Sequence, residues 1–556
     1  MEFTYKKNDN EELFNNFNNT DSLNLYQVQN YIPLYKRFFD LNENNYQNVN
    51  LNNKIKLASI SSKISNNIFN CKLNINDSIK ESKVFFKYSP LLDPSKYLIG
   101  KYDNDNYLDL PKINSKTIKN KINDSNNSAY VDGFFSYLSS QLLHYHNFIN
   151  ATDFYGSYIG IKRDFEYNII DDIECLNESD FFLEHHNSLF TIKSDFANQL
   201  INLHTRNNKQ RLKIEDSNIK SEINSIGDLD NLNKFFSVNK NIVDSSLDLL
   251  YSFNLQERNS SESSDNDECS STSSKTSNED SKDGSMEDYS SESDISTASE
   301  DTMLLSINNF PVKVIALEKC NDTLDSLIVE KNEEMTDLEW GSMIFQIIII
   351  LYTYQKTFNM THNDLHSNNI MYIKTDKQFL YYKVKNNHYK VPTFGRIFKL
   401  IDFGRAIYKF RGEAICSDSY HKDGDAATLY NCEPYINENK PRLEPNYSFD
   451  LCRLGCSLLD FFIDELEENP NDPSLGAKRI IKEWCMDDKE RNILYKKNMS
   501  ERYPDFKLYK MIARTVHNHT PEKQLEKEYF NKFKISKKKI NKHQKIVNID
   551  NIPSYI

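Results

Sequence analysis

A chain of 556 residues is long for one domain and suits two lobes carrying insertions. Its 38% hydrophobic and 12% aromatic content allows a sizeable core, while a mean hydropathy of -0.68 leaves much of the remainder in water. The net charge of -13 excludes little about the partners of the folded body, because thirteen acids against two lysines between Glu262 and Asp301 hold -11 of it.

Nine cysteines, an odd number without paired metal-type spacing, argue against a disulfide framework and for an intracellular reducing compartment. Cys452 and Cys456 lie four apart on an expected helix. No second Cys or His pair completes a metal site, so they are expected as buried thiols. Met1 to Asn10 is polar and charged and predicts no secretory leader. The apolar run Met343 to Tyr354 is shorter than the ~20 residues a bilayer requires, so a buried helix and no membrane contact are expected.

In chain order, residues 1–50 are an extension rich in Asn, Tyr and Phe, in which Tyr26 to Phe39 has enough apolar residues to pack on the body. Residues 51–88 read as strands. No glycine precedes Gly100, and Ala58-Ser59-Ile60-Ser61-Ser62 is the smallest-residue stretch. Val84 to Lys87 reads as a strand ending in a lysine, and 89–127 as an irregular insertion. Ser128 is the expected N-cap of a helix Ala129 to His146, whose Val131, Phe135, Leu138 and Leu142 recur at helical spacing and whose only acid is Asp132. Phe154 to Ile161 reads as a strand with a bend, and 163–255 as a large insertion with a helical segment at Asp244 to Phe253.

Residues 256–302 form a Ser/Asp/Glu tract with one aromatic residue, Tyr289, too poor in apolar area to offset the entropy of ordering. It is expected to be a disordered, solvated linker; Ser264, Ser285 and Ser291, each with an acid three residues on, are alternatively phosphoacceptors. Val312 to Leu317 is a short apolar strand, and Glu318 to Leu324 after it fits a hinge. Met343 to Leu351 is an apolar helical run. His362-Asn363-Asp364-Leu365-His366-Ser367-Asn368-Asn369 follows as a loop, then the strands Ile370 to Ile373 and Ile397 to Ile401, the second delivering Asp402-Phe403-Gly404. A polar loop spans 405–445, with Arg405 and Arg411. Ser448 to Leu458 begins a buried helix with Asp450 in it, and Ile480 to His519 reads as helical. Lys532 to Lys545 carries seven lysines, a run that is either a solvated terminus or a binder of nucleic acid or an import receptor.

An Asp, an Asn five residues later and a second Asp heading Asp-Phe-Gly are the oxygens that phosphoryl transfer from Mg·ATP requires. Asp364 would orient the attacking hydroxyl and accept its proton, Asn369 and Asp402 would hold Mg²⁺, and Phe403-Gly404 would supply the turn that aims Asp402 inward. The plain alternative is a pair of ordinary loop acids; the order, separation and flanking strands of the three residues make that coincidence improbable.

With these residues assembled, the chain resembles the protein-kinase-like superfamily over roughly residues 51–520. It is more narrowly similar to the divergent serine/threonine-protein kinases of giant DNA viruses, in Thr361 to Met371, Pro445 to Leu454 and Arg502-Tyr503-Pro504. The resemblance implies a two-lobed α+β fold: an antiparallel-sheet small lobe at 51–317 with large insertions, a mainly helical large lobe at 318–520, and a basic tail at 521–556. It implies ATP and Mg²⁺ as cofactors, a protein substrate with a Ser/Thr acceptor, and the host cytoplasm or virion as location. It also implies that Lys87 (or else Lys83) contacts the α/β-phosphates and Asp132 pairs with that lysine. Backbone groups near Glu318 and Cys320 would bond the adenine edge beside Leu317, and Asp450 would accept N–H bonds from the catalytic loop. Three positions depart from the pattern. Ala58 to Ser62 must cover the phosphates without glycine; Asn363 stands where many kinases have Arg, which speaks against activation by a phosphorylated loop; and His366 stands where serine/threonine kinases have Lys, in reach of the transferring phosphate. A partner-binding pseudokinase and a small-molecule kinase are the competing functions.

Overall fold

The computed structural model describes residues 1–19, 22–102, 109–113, 121–193, 303–469 and 471–556. The expected helix Asp244 to Phe253 and the acidic tract 256–302 lie outside them. The described residues form a mixed α and β structure with a curled antiparallel sheet.

The first fifty residues supply β1 (Tyr5–Lys7), α1 (Glu11–Phe17), β2 (Leu25–Gln29) and β3 (Val49–Leu51). They pack by their aromatic side chains: Phe14 and Phe17 meet the Tyr158 ring edge-on at 5.8 and 5.1 Å. β4 (Ile55–Lys63), β5 (Ile68–Ile75) and β6 (Ser78–Pro90) follow as a meander. Asn76 and Asp77, at φ +49° and +63°, make the two-residue turn into β6, a left-handed conformation that Asn and Asp tolerate better than other side chains. The sheet is completed after α2 (Ser128–His146) by β7 (Phe154–Asn168), β8 (Phe190–Ile192) and β9 (Leu304–Glu318). Its order is β2-β7-β9-β6-β5-β4 with β8 beside β9, every pairing antiparallel. The sequence located the middle of β6 and the last part of β9; both run on because each finds ladder partners beyond its apolar stretch, as in Pro90 opposite Val312 and Asn168 opposite Leu304.

Helix α2 starts on Asn127, not on Ser128 as its cap. The Asn127 side-chain oxygen accepts from Ala129 N (3.0 Å), and its amide donates to Leu91 O and Lys121 O (2.9 and 3.0 Å). An amide can cap the helix and satisfy two loop carbonyls at once, which a hydroxyl cannot. Asn127 is fully buried, so Asn127→Ala is expected to cost about 2–3 kcal/mol, the cap plus stranded carbonyls, read from urea unfolding midpoints.

The second half contains β10 (Asp322–Thr323), α3 (Leu324–Lys331) and α4 (Asp337–Phe358). Helix α4 is apolar on nearly every side and buried along most of its length, with Trp340, Phe345 and Ile347 to Leu351 essentially inaccessible to solvent. Thr336 caps its start and Asn359, at φ +49°, ends it. Around it lie β11 (Ile370–Lys374), β12 (Phe379–Val384), β13 (Asn387–Pro392), β14 (Arg396–Leu400), β15 (Ile407–Phe410) and β16 (Glu413–Cys416), then α5 (Phe449–Leu458), α6 (Gly476–Trp484) and α7 (Phe506–Thr515). Residues 521–556 fold back on this part: β17 (Lys534–Ile535) pairs with β13, and β18 (Ile546–Asn548) with β12. Lys356 donates to Ile549 O, Asp550 O and Ile552 O (2.6, 3.1 and 2.7 Å) and pins the terminus to α4. Tyr555 then donates its N–H to Thr357 O, accepts from Arg411 N, and places its hydroxyl 2.9 Å from His146 Nε2 and 3.2 Å from the Met1 amino group.

Cys452, Cys456 and five others among the described cysteines are free and buried. Among the described residues, no helix is long and apolar enough to cross a membrane.

Candidate functional site

Strand β6 carries Lys87 to the face of the sheet covered by α2. Its Nζ lies 2.7 Å from Asp132 Oδ2 and 2.8 Å from Asp402 Oδ1. Burial alone would push the amine down; the two carboxylates overcome this and hold it up. Lys83, four residues back on the same strand, is exposed. The Asp132 carboxylate is 3% exposed and its second oxygen accepts from Phe403 N (2.9 Å), so one acid on α2 fixes both the lysine and the turn after Asp402. Aspartate reaches because α2 lies close to the sheet: the Lys313 ammonium of β9 sits 2.1 Å from where a Cβ at Gly133 would stand.

Asp402 follows β14 at φ +64°. Burial raises its carboxyl, but the charge and hydrogen bond of Lys87 outweigh this and bring it down to about 2. The side chain is 46% exposed, so one edge stays open.

The loop before β11 is held from below. Asp450, fully buried near the start of α5, accepts His362 N and Asn363 N on its two oxygens (2.9 and 2.8 Å). Burial pushes its carboxyl up, against the pull of His362 and the two N–H groups. Asp450→Ala would strand two buried donors, and an expected loss of about 2–4 kcal/mol is checked by urea denaturation. Asn363 takes φ +65° and is itself fully bonded: it donates to Thr361 O and Arg405 O (3.2 and 3.0 Å) and accepts from the Tyr430 hydroxyl (2.8 Å).

Asp364 Oδ1 lies 3.1 Å from Arg405 Nη1 and accepts from the Tyr509 hydroxyl at 3.1 Å. Arg405 is oriented in turn by Asp425, which accepts from its Nε and Nη2 (3.0 and 2.7 Å). Asn369 donates its amide to Asp364 O (2.9 Å) and faces His366 Nε2 at 3.1 Å. Ile401 N donates to Asn369 O (3.1 Å), which joins this loop to the chain one residue before Asp402. Burial holds the His366 imidazole below its ordinary range, so it is neutral at pH 7.

At the end of β9, Leu317 is buried between Phe85 and Phe154 on the adjacent strands. Glu318 pairs with Lys399 of β14, and its N–H goes to Asp153 O (3.0 Å). Among the described residues, the Cys320 main chain makes no hydrogen bond. Ala58 to Ser62 does not form a loop: it lies within β4, paired with β5, and the connection between the strands is Ile64 to Asn67. Ser59, Ile60 and Ser62 pair with β5 across two bulges, and the Ile60 main chain exchanges bonds with the Asn16 amide of α1 (2.8 and 3.3 Å), contacts that composition alone does not reveal.

The structure thus brings Lys87, Asp132 and Asp402 into contact, and Asp364, His366 and Asn369 into a second, adjoining group. Leu317, Glu318 and Cys320 lie at the end of β9. Asp425, Lys399 and Lys313 escaped the sequence reading, which took Arg405 only as part of a polar loop and Tyr509 only as a core aromatic. Arg405 adjoins Gly404 and was within reach of it. Tyr509 lies 145 residues from Asp364 and carries no local signal. Lys313 is a lysine inside an apolar strand, pushed by burial to about 7. Among the described residues, no three His, Cys, Asp or Glu side chains cluster as a preformed metal site. No protein-family model matches the chain, and no curated protein matches it significantly.

Proposed function

We propose that the chain is an ATP-dependent phosphotransferase with a two-lobed, protein-kinase-like architecture, moving the ATP γ-phosphate to a Ser or Thr hydroxyl of a protein. The observation that carries this reading is the Lys87 amine held at 2.7 and 2.8 Å between Asp132 and Asp402, next to a loop that holds Asp364 and Asn369. In this reading Lys87 steadies the α/β-phosphates and Asp132 positions Lys87. Asp364 orients the acceptor hydroxyl and takes its proton, and the neutral His366 offers one N–H toward the phosphate. The unused main chain of Cys320 suits the adenine edge, with Leu317 flanking the base.

Mg²⁺ fits the donor set. The Asn369 amide nitrogen is spent on Asp364 O and His366, which turns its oxygen away from them, and Asp402 keeps a half-exposed carboxylate. Two protein oxygens suffice because Mg²⁺ takes its other ligands from phosphate and water. When bound, the ion would neutralise charge on the phosphates.

A nucleotide-binding protein without transfer activity is the second reading. Two observations favour it: the Asp364 carboxylate is engaged by Arg405 and Tyr509, and the Ile64 to Asn67 turn lacks glycine. Purified protein with Mg²⁺ and γ-labelled ATP, incubated with mixed cell proteins beside Asp364→Ala, separates the two. Label transfer by the wild type alone supports the enzyme; equal labelling by both forms, or none by either, overturns it.

A further inference from the structure

The lysine-rich end of the chain is not a free terminus. β17 and β18 flank the β12–β13 hairpin in a four-stranded sheet of order β17-β13-β12-β18. One face of it packs on α4, with Tyr382 and Tyr389 buried against Phe345 at 6.2 and 5.0 Å between ring centroids. Strand alternation puts Phe379, Tyr381 and Lys383 of β12 on the opposite face, across from Pro392, Lys390 and His388 of β13; all six are half-buried. Lys390 Nζ lies 3.8 Å over the Phe379 ring. His388 pairs with Ile535 of β17, two residues before Lys537, which puts the lysine turn at the edge of this sheet.

Lys537, Lys538 and Lys539 form one exposed turn, and Lys542 and Lys545 are exposed just beyond it. Lys383 has Asp550 at 3.6 Å and Lys532 has Asp337 at 2.8 Å, whereas among the described residues no carboxylate pairs with the five turn lysines. Five unneutralised ammonium groups beside two accessible rings are more than solubility requires in a chain that is acidic overall.

We propose that this face and its lysine turn dock single-stranded nucleic acid. The lysines would track phosphates, and Tyr381 and Phe379 would stack bases, a combination tolerant of sequence. The patch has no arginine fork to read base edges and no helix to enter a groove, which disfavours duplex recognition. An acidic protein would use the charge but gain nothing from the rings.

The test is fluorescence anisotropy on the full chain with labelled (dT)20 and (rU)20, a 20-base-pair duplex and polyglutamate. Single strands are expected to bind tightest. With about four phosphates contacted, affinity should fall roughly fiftyfold between 50 and 200 mM salt. A K537Q/K538Q/K539Q variant and, separately, Y381S should each weaken binding about tenfold or more without changing the thermal unfolding midpoint. Tighter binding to duplex, polyglutamate competing as well as the oligonucleotides, or undiminished binding by either variant overturns the proposal. The readout is binding alone and stands apart from whether the cleft transfers phosphate.

Discussion

Asp364→Ala is expected to lower phosphate transfer by 10²–10⁴ while leaving nucleotide affinity nearly unchanged. A positioned base contributes about that factor, equivalent to roughly 3–5 kcal/mol of barrier. Nothing that would hold the nucleotide is removed, because Lys87 is fixed by Asp132 and Asp402 and not by Asp364. The substitution also releases Arg405, but Asp425 still binds that guanidinium through two donors. The check is single-turnover transfer beside equilibrium binding of a fluorescent ATP analogue. A parallel loss of binding would show that Asp364 holds the structure together, and would remove it as the base.

Lys87→Met is expected to act on both transfer and stability. On the proposed reading Lys87 is the cation facing the phosphates, and its loss should cut transfer about 10²–10³-fold, the usual scale for one preorganised electrostatic group. Folding should lose roughly 2–4 kcal/mol, because Asp132 is left as a buried carboxylate without its partner. The half-exposed Asp402 keeps the cost below that of a fully buried pair. The pH dependence follows from the sign of the shift. Asp402 is depressed to about 2 in the folded protein, below its unfolded value near 4, so its contribution is present above about pH 4 and is lost as pH falls toward 2. The variant lacks the amine that causes the depression. The stability gap between wild type and Lys87→Met should therefore narrow as pH is lowered from 7 to 3, measured by urea unfolding at each pH. A constant gap would mean that the pair is screened by solvent.

Much of the contact network was legible because it is local in sequence or anchored by an unusual residue. Asp364, Asn369 and Asp402 stand at fixed offsets between strands, and Asp132 was the sole acid on its helix. The rest depends on tertiary approach. Nothing near Tyr509 or Asp425 marks them as neighbours of Asp364 and Arg405, and the fit of Lys313 against Gly133 exists only once a helix and a strand are packed. Local reading failed at Ala58 to Ser62, where small residues suggested a phosphate cover but Ser59, Ile60 and Ser62 pair with β5 across two bulges, and at Ser128, where the better cap lay one residue earlier.

The segment after Asp402 is held by charge already present in the chain. Arg405 meets Asp425 at 2.7 Å, Lys121 meets Asp418 at 2.7 Å, and Arg37 meets Glu413 at 2.7 Å. Asn363 completes the set through Arg405 O and the Tyr430 hydroxyl. Phosphatase treatment is accordingly expected to leave activity within about twofold of the untreated protein, since no added anion is needed to order these contacts.

Tyr555 and Met1 meet at His146, at the trailing end of the helix that bears Asp132 in its second turn. A change that loosens this corner, such as Tyr555→Ala, would therefore act on the lever that sets the lysine clamp some twenty ångströms away along its axis.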